Sequence, residues 1–343
     1  MTRIFLIRHA EAEGNIYRRA HGHYEGQITG RGFTQMEFLR KRFEAETIDA
    51  VYSSDLTRTR VTASALAEPR GLPIDTTERI REVNIGVWED LPWGEIEHSD
   101  PEQFDYFNND PARWNIPGGE DYANIRTRMC DFLKEIGQKH DGGRGAVAAF
   151  SHGFAIRAFT CEMLGYPSHE TTKVPYCDNT AVALVQYDNG KLTLEYSGDN
   201  SHLQNENSTF ARQTWWRGVR EKGLRFKNLL SFEKESKQRK LYGASRNFKG
   251  FAAYLEDEEV GRLELGVDGD GGRIERIRVE PGFRRRGYGV QLIGQAVSVC
   301  RKHGGGKLQA PATDDSAEFF IKHGFKRVSD AVMEKDILQK RWM

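Results

Sequence analysis

The sequence predicts a three-layer α/β/α sandwich followed by a smaller α+β domain with a mixed sheet. Three observations lead there. Short β-rich apolar runs alternate with segments of helical periodicity from the first residues to about Leu203, the pattern of a parallel sheet covered on both faces. Ala146–Phe150 is apolar without interruption, which suits a central parallel strand. The length of 343 residues is enough for two cores, here assigned to residues 1–203 and 224–343 with a polar linker over 204–223.

Ile4–Ile7 reads as the first strand, and the polar stretch from Glu11 to Gly30 as a loop. A helix is expected from Gly32 to Ala45, with Phe33, Met36, Leu39 and Phe43 on one face. Asp49–Ser53 is the second strand, and Ser54 or Asp55 stands where it can cap the helix carrying Arg58, Thr62 and Ala63. Ile74–Thr77 is a third strand. Leu91–Pro117 reads as an irregular, aromatic-rich insertion (Trp93, Phe104, Tyr106, Phe107, Trp114), either shaping a substrate pocket or forming a satellite cluster. Pro117–Glu120 turns into a long helix with Ile125, Met129, Phe132, Leu133 and Ile136 on its apolar face. Ser151-His152-Gly153 ends the central strand and opens another helix (Ile156, Phe159, Met163). Thr180–Tyr187 and Leu192–Tyr196 form a closing hairpin around Asp188-Asn189-Gly190.

Lys+Arg and Asp+Glu are both 50, so net charge makes no global case for nucleic acid or a membrane surface. The hydrophobic content of 38% and charged content of 29% suit a soluble globular protein. Cys130, Cys161, Cys177 and Cys300 are scattered with no Cys-x-x-Cys pair. That spacing argues against a zinc site or disulfide framework and for a cytoplasmic location.

Reactive groups in an open α/β sheet collect beyond the carboxyl ends of the parallel strands. Strand-to-helix junctions there deliver Arg8-His9, Arg58 and His152, and Glu82 follows another strand. Two histidines, two arginines and a carboxylate suggest phosphoryl transfer through a covalent intermediate. Planar guanidinium forks suit phosphoryl oxygens. A neutral imidazole can attack phosphorus, and His9 is the nucleophile candidate because Arg8 beside it discourages protonation. His152, at a helix N-terminus, would donate to the transferring group. Glu82 would protonate the leaving alkoxide and then deprotonate water. No carboxylate cluster is present to hold a metal, and the chemistry needs none.

The chain from Thr2 to about Leu203 resembles the histidine phosphatase superfamily, phosphoglycerate mutase-like branch. The motifs are Arg8-His9-Ala10-Glu11 with Asn15, Thr29-Gly30-x-Gly32 with Gln35, and Ser53-Ser54-Asp55-Leu56-Thr57-Arg58 with Thr62-Ala63. Glu82-x-x-x-Gly86 with Trp88-Glu89, Pro117-Gly118-Gly119-Glu120, Ser151-His152-Gly153 and His202-Leu203 complete them. The resemblance implies His9 as the phosphorylated nucleophile, Arg8, Arg58 and His152 as the phosphate pocket, Glu82 as proton donor, and Asn15 and Gly22 as substrate contacts. His21 stands where Ser or Thr is common. Ile85 replaces the aromatic residue of mutases, and the longer mutase insertion after Glu82 is missing. Hydrolysis of a small phosphorylated metabolite is therefore expected ahead of phosphoglycerate-type mutase activity.

In the linker, Trp215-Trp216 sits among Arg212, Arg217, Arg220 and Lys222. Leu224–Leu230 reads as a strand and Phe232–Leu241 as a helix with a solvated basic face (Lys234, Lys237, Arg239, Lys240). Gly250–Leu255 and Glu259–Val267 form a hairpin, and Ile274–Val279 a further strand. Glu280 to Val290 then opens a helix that buries Leu292, Ile293, Ala296 and Val299. A strand, a glycine-bearing loop and a helix N-terminus make an anion cradle. This region resembles the Gcn5-related N-acetyltransferase fold through Ile277-x-Val279, Arg284-x-x-Gly287-x-Gly289 and Gly324-Phe325. The resemblance implies acetyl-CoA or another acyl-CoA, with Arg284 and the Arg285, Arg286, Gly287, Gly289 and Val290 backbone at the pyrophosphate and Ile277 and Val279 beside the pantetheine. Phe320 stands where many members carry a proton-donating Tyr, and Thr313 replaces an Asn. Glu264 and Glu275 are candidate general bases. The domain is thus expected to be either an acetyltransferase or a non-catalytic acyl-CoA sensor.

Overall fold

Alternation along the first strand sets up the first domain. In β1 (Thr2–Arg8) Ile4 and Leu6 enter one core and Phe5 and Ile7 the other, because successive side chains of a strand leave on opposite faces. The computed structural model describes residues 1–213, 223–229, 247–312 and 314–338. The first domain continues through α1 (Glu13–Tyr17), α2 (Gly30–Arg42), β2 (Ile48–Ser54), α3 (Thr57–Ala67) and β3 (Ile74–Thr77). It then runs through α4 (Trp93–Ser99), α5 (Pro101–Asn109), α6 (Tyr122–Lys139), β4 (Ala146–Ser151), α7 (Gly153–Met163), β5 (Val182–Asp188) and β6 (Lys191–Asp199). The sheet order is β3-β2-β4-β1-β5-β6. β1 to β4 are mutually parallel, and β5 and β6 form the expected antiparallel hairpin.

β4 is central and buried at every residue. On one face Val147 and Ala149 meet α6 and α7, and on the other Ala148 and Phe150 meet Leu39 of α2, Phe43 just after it and Leu66 of α3. Several local readings change. Phe33 is 53% exposed instead of sharing the buried face of Met36, Leu39 and Phe43, since the buried stripe of α2 runs through Gly32, Gln35, Met36 and Leu39. Neither Ser54 nor Asp55 caps α3. Asp55 pairs with Arg81, and Glu25 accepts the Thr57 N–H at 3.0 Å in its place. The aromatic insertion is helical, as α4 and α5.

Among the described residues the second domain forms a seven-stranded mixed sheet, β12-β13-β11-β10-β9-β8-β7. Its elements are β7 (Arg225–Asn228), β8 (Asn247–Leu255), β9 (Glu258–Asp268), β10 (Gly271–Val279), α8 (Tyr288–Lys302), β11 (Lys307–Pro311), α9 (Asp314–Lys322), β12 (Lys326–Ser329) and β13 (Val332–Asp336). Among the described residues of this sheet only β10 and β11 pair in parallel, through Gly271, Gly272 and Arg273, and the rest of β10 is paired with β9 alone. Leu292, Ile293 and Ala296 of α8 fill the core with Leu263, Leu265 and Ile274. Trp215, Trp216, Arg217, Arg220, Lys222, the Phe232–Leu241 segment with its basic face, and Thr313 lie outside the described residues. No described helix is long and apolar enough to cross a membrane.

Candidate active site

The register of the parallel strands brings the predicted residues together. Arg8 ends β1 opposite Ser151 of β4, so Arg8-His9 and Ser151-His152 leave the sheet side by side. The His9 backbone extends the ladder, its N–H donating to Ser151 O at 3.0 Å. Its carbonyl accepts from Asn179 Nδ2 at 3.0 Å, and the next N–H, of Ala10, donates to Thr62 Oγ1 at 2.9 Å. These bonds fix the main chain on both sides of the imidazole.

The ring has a defined tautomer. His9 Nδ1 lies 2.7 Å from the Ala10 carbonyl, which can only accept, so Nδ1 carries the hydrogen and Nε2 keeps its lone pair. Burial holds the His9 pKa well below the ordinary imidazole value, and Arg58 and Arg8 add to the effect. Burial therefore leads, where the sequence reading credited Arg8 alone. His152 is held low by the same order of causes, burial first and then Arg58.

Arg58 and Arg8 flank this imidazole at the wall of a cleft of about 160 Å³. Arg58 Nη2 donates to Gly22 O at 2.7 Å, Nη1 to Tyr24 O at 3.0 Å and Nε to His152 Nδ1 at 3.1 Å. Arg8 Nη1 donates to Cys177 O at 2.6 Å, while its buried Nε has no hydrogen-bond partner within the protein. A buried cationic N–H of that kind costs stability unless an anion completes it. Gly22 lines the cleft, and a Cβ there would fall within 2.5 Å of the Val83 carbonyl. Only glycine fits this approach of the two segments.

Glu82 is set by the backbone on both sides. Arg128 donates to the Arg79, Arg81 and Glu82 carbonyls. The Glu82 carboxylate caps α7, accepting from Phe154 N at 3.0 Å on Oε2 and from Ala155 N at 2.9 Å on Oε1, the end of a helix that favours negative charge. Asn15 also lines the cleft. Its Oδ1 accepts from Ala12 N at 2.9 Å, so what it can offer an anion is its NH₂.

His152 stands differently from the other four catalytic candidates. It lies behind Arg58, with Nε2 2.9 Å from Ser54 Oγ and Nδ1 facing the Arg58 Nε. Both nitrogens are engaged inside the protein, so its evident action is to fix the guanidinium.

Other cleft residues carry no motif. Trp93, Phe104 and Phe107 of the aromatic insertion line it, whereas Trp114 is buried behind them. Thr209, Phe210 and Gln213, in the stretch read as linker, line it too. Ser208 Oγ donates to Asp178 Oδ2 at 2.6 Å, Thr209 Oγ1 to Glu11 Oε2 at 3.0 Å, and Gln213 Nε2 to the Asn15 carbonyl at 3.0 Å. Residues up to 213 are therefore a wall of the first domain.

In the second domain, Arg284, Arg285, Arg286 and Gly287 form an exposed turn before α8. Arg285 and Gly287 have φ of 62° and 83°, the left-handed conformation that turns successive N–H groups to one side. Val290 is buried in α8, and a Cβ on Gly289 would come within 3.0 Å of the Phe319 ring. Ile277 and Val279 lie half-buried on β10, beyond its last pair with β11. Phe320 is fully buried beside Phe325. Glu264 and Glu275 lie 3.8 Å from Arg276 and Arg273.

An α/β/α sheet whose strand ends present a buried neutral imidazole between two arginines defines a phosphoryl-transfer enzyme. Residues 4–200 match the sequence model of the histidine phosphatase superfamily (branch 1), and the chain belongs to that family. Residues 215–325 match the acetyltransferase (GNAT) family, so a histidine phosphatase is here fused to a GNAT domain. Phosphoserine phosphatase 1 of Hydrogenobacter thermophilus is 30% identical over 203 residues, covering 59% of this chain and 95% of that protein. A probable phosphoglycerate mutase, GpmB, of Yersinia enterocolitica is 30% identical over 211 residues, with the same 59% and 95% coverage. The solved structure of Bacillus stearothermophilus YhfR aligns with a TM-score of 0.57 at 29% identity, over 60% of this chain and all of that one.

Proposed function

We propose that the first domain hydrolyses a small phosphate monoester through a phosphorylated His9. His9 Nε2 attacks phosphorus, the ester P–O bond breaks, and Glu82 gives its proton to the departing alkoxide. Water then attacks the phosphohistidine, Glu82 takes the water's proton, the P–Nε2 bond breaks to free His9, and inorganic phosphate leaves. Arg8 and Arg58 balance the charge that moves onto the phosphoryl oxygens. The observation that carries this reading is His9 itself, a buried imidazole held neutral with Nε2 as its lone-pair nitrogen. The helical cap of Trp93, Phe104 and Phe107 favours a small molecule over a protein loop.

The test is phosphate release from p-nitrophenyl phosphate and a panel of metabolite phosphates in the presence of EDTA. Turnover that resists EDTA, with an acid-labile phosphoenzyme trapped on rapid quenching, is the expected result. No release from any ester, with 3-phosphoglycerate isomerised, would replace hydrolysis by the mutase reading.

The second domain is proposed to bind acyl-CoA. The left-handed turn at Arg285 and Gly287 and the edge of β10 beyond its last pair with β11 fit a pyrophosphate and an extended amide chain. When bound, the thioester supplies an acyl group for transfer to an amine. Acetyl-CoA is expected to bind in calorimetry, and Gly287→Ala to weaken binding about tenfold, because an alanine at positive φ costs of order 1–3 kcal/mol.

A further inference from the structure

The segment that follows His9 is held from outside the phosphatase domain. Gly14 and Asn15 of α1 line the cleft, and the helix against which α1 packs is α8 of the second domain. Tyr17 is 3% exposed and belongs to the second domain's core. It rests on Gly294, where a Cβ would come within 2.5 Å of the Tyr17 Cβ. Arg301 Nη2 donates to Glu13 Oε2 at 2.9 Å, and Lys335 lies 3.8 Å from the other oxygen. The Glu13 and Arg301 side chains are only 2% and 7% exposed. Burial works to raise the Glu13 pKa, yet Arg301 and Lys335 hold it below the ordinary carboxylate value, so a charged pair is locked inside the contact.

A second buried set lies just beyond. Arg19, also on the cleft wall, donates from Nε to Asp90 Oδ1 at 2.7 Å, from Nη1 to Gln295 Oε1 at 2.9 Å and from Nη2 to Ser298 Oγ at 2.9 Å. Ser298 Oγ in turn donates to Asp90 Oδ2 at 2.5 Å. Gly294, Gln295, Ser298 and Arg301 recur at helical spacing and form one stripe of α8.

We propose that this stripe is a positioning element of the phosphatase. It fixes α1 and Arg19, and through them the half of the cleft that takes up the ester. His9, Arg58 and Glu82 are set by the first domain's own strands and helices. Loss of the stripe therefore loosens phosphate-ester binding and leaves the chemical step intact. The inference rests on the phosphatase reading of the cleft.

The test uses the full chain with p-nitrophenyl phosphate as substrate and inorganic phosphate as competitive inhibitor. Arg301→Ala breaks the buried pair, Arg301→Lys keeps its charge, and Gly294→Ala wedges a methyl group under Tyr17. Alanine also favours the helix more than glycine, so this last variant disturbs the contact without weakening α8, and it decides the matter if Arg301→Ala does not fold. In variants with wild-type circular dichroism, KM and the phosphate inhibition constant should rise together by about tenfold or more, with kcat within about twofold of wild type. Arg301→Lys should recover most of the loss. Unchanged KM and inhibition constants in folded variants, or a fall in kcat at unchanged KM, would overturn the proposal. An inactive wild type would instead overturn the phosphatase reading beneath it.

Discussion

Replacing His9 by alanine is expected to lower kcat/KM for every phosphate ester by about 10⁴-fold or more, the scale seen when a covalent nucleophile is removed. No acid-labile phosphoenzyme should form. The effect is large because the imidazole that faces it, His152, cannot take over. His152, with ring centroid 5.3 Å from that of His9, has both nitrogens engaged by Arg58 and Ser54. The pH dependence gives an independent check. Burial, Arg58 and Arg8 depress the His9 pKa, so the reactive neutral form persists as pH falls through the ordinary imidazole value of about 6.5. The acid limb of kcat/KM set by His9 should therefore lie below that value. A phosphoenzyme in the His9→Ala variant, detected by rapid quench with labelled substrate, would place the nucleophile elsewhere.

The same depression has a consequence for stability. His9 and His152 are buried neutral, and both would bind protons more readily in the unfolded chain. Their contribution is fully present above the unfolded value of about 6.5 and is lost as pH falls toward the depressed folded values. Thermal unfolding should accordingly occur at lower temperature as the buffer is taken below neutral, most steeply under pH 6.5.

What could be read from the sequence was what period and motif encode. The central strand Ala146–Phe150 and the apolar face of α6 are buried as their patterns require, because burial on two faces or on one stripe leaves a direct trace in residue order. The junction residues Arg8, His9, Arg58 and Glu82 share one cleft because parallel strands end on one side of a sheet. Other features depend on pairings between distant segments, which no local pattern records. Ser208, Thr209 and Gln213 look like linker, polar and aperiodic, and are held only because Asp178, Glu11 and Asn15 meet them in space. Asp55 has the composition of a helix cap, but Arg81 from a distant segment outcompetes the backbone for its carboxylate. The Leu91–Pro117 segment hides two helices because each is short, and their aromatic residues face a cleft as well as a core.

Glu82→Gln is expected to reduce kcat/KM by about 10²- to 10⁴-fold on alkyl phosphates, the usual weight of a general acid. On p-nitrophenyl phosphate the loss should be much smaller, because that phenolate departs without a proton at neutral pH. This contrast separates a proton-transfer role from a structural one, which would lower both substrates alike. A structural component also exists and can be sized. Both Glu82 oxygens accept backbone N–H bonds, Oε1 from Val83 and Ala155 and Oε2 from Phe154. Glutamine has one such oxygen, so its NH₂ must face a backbone donor at the start of α7. That mismatch costs about 1–3 kcal/mol and should appear as a lower unfolding midpoint in denaturant. Dephosphorylation needs the carboxylate again, to take a proton from water. The variant should therefore accumulate phosphohistidine with p-nitrophenyl phosphate, a burst of p-nitrophenol preceding slow turnover. Equal losses on alkyl and aryl esters, without a burst, would remove Glu82 from proton transfer and leave it as the cap of α7 alone.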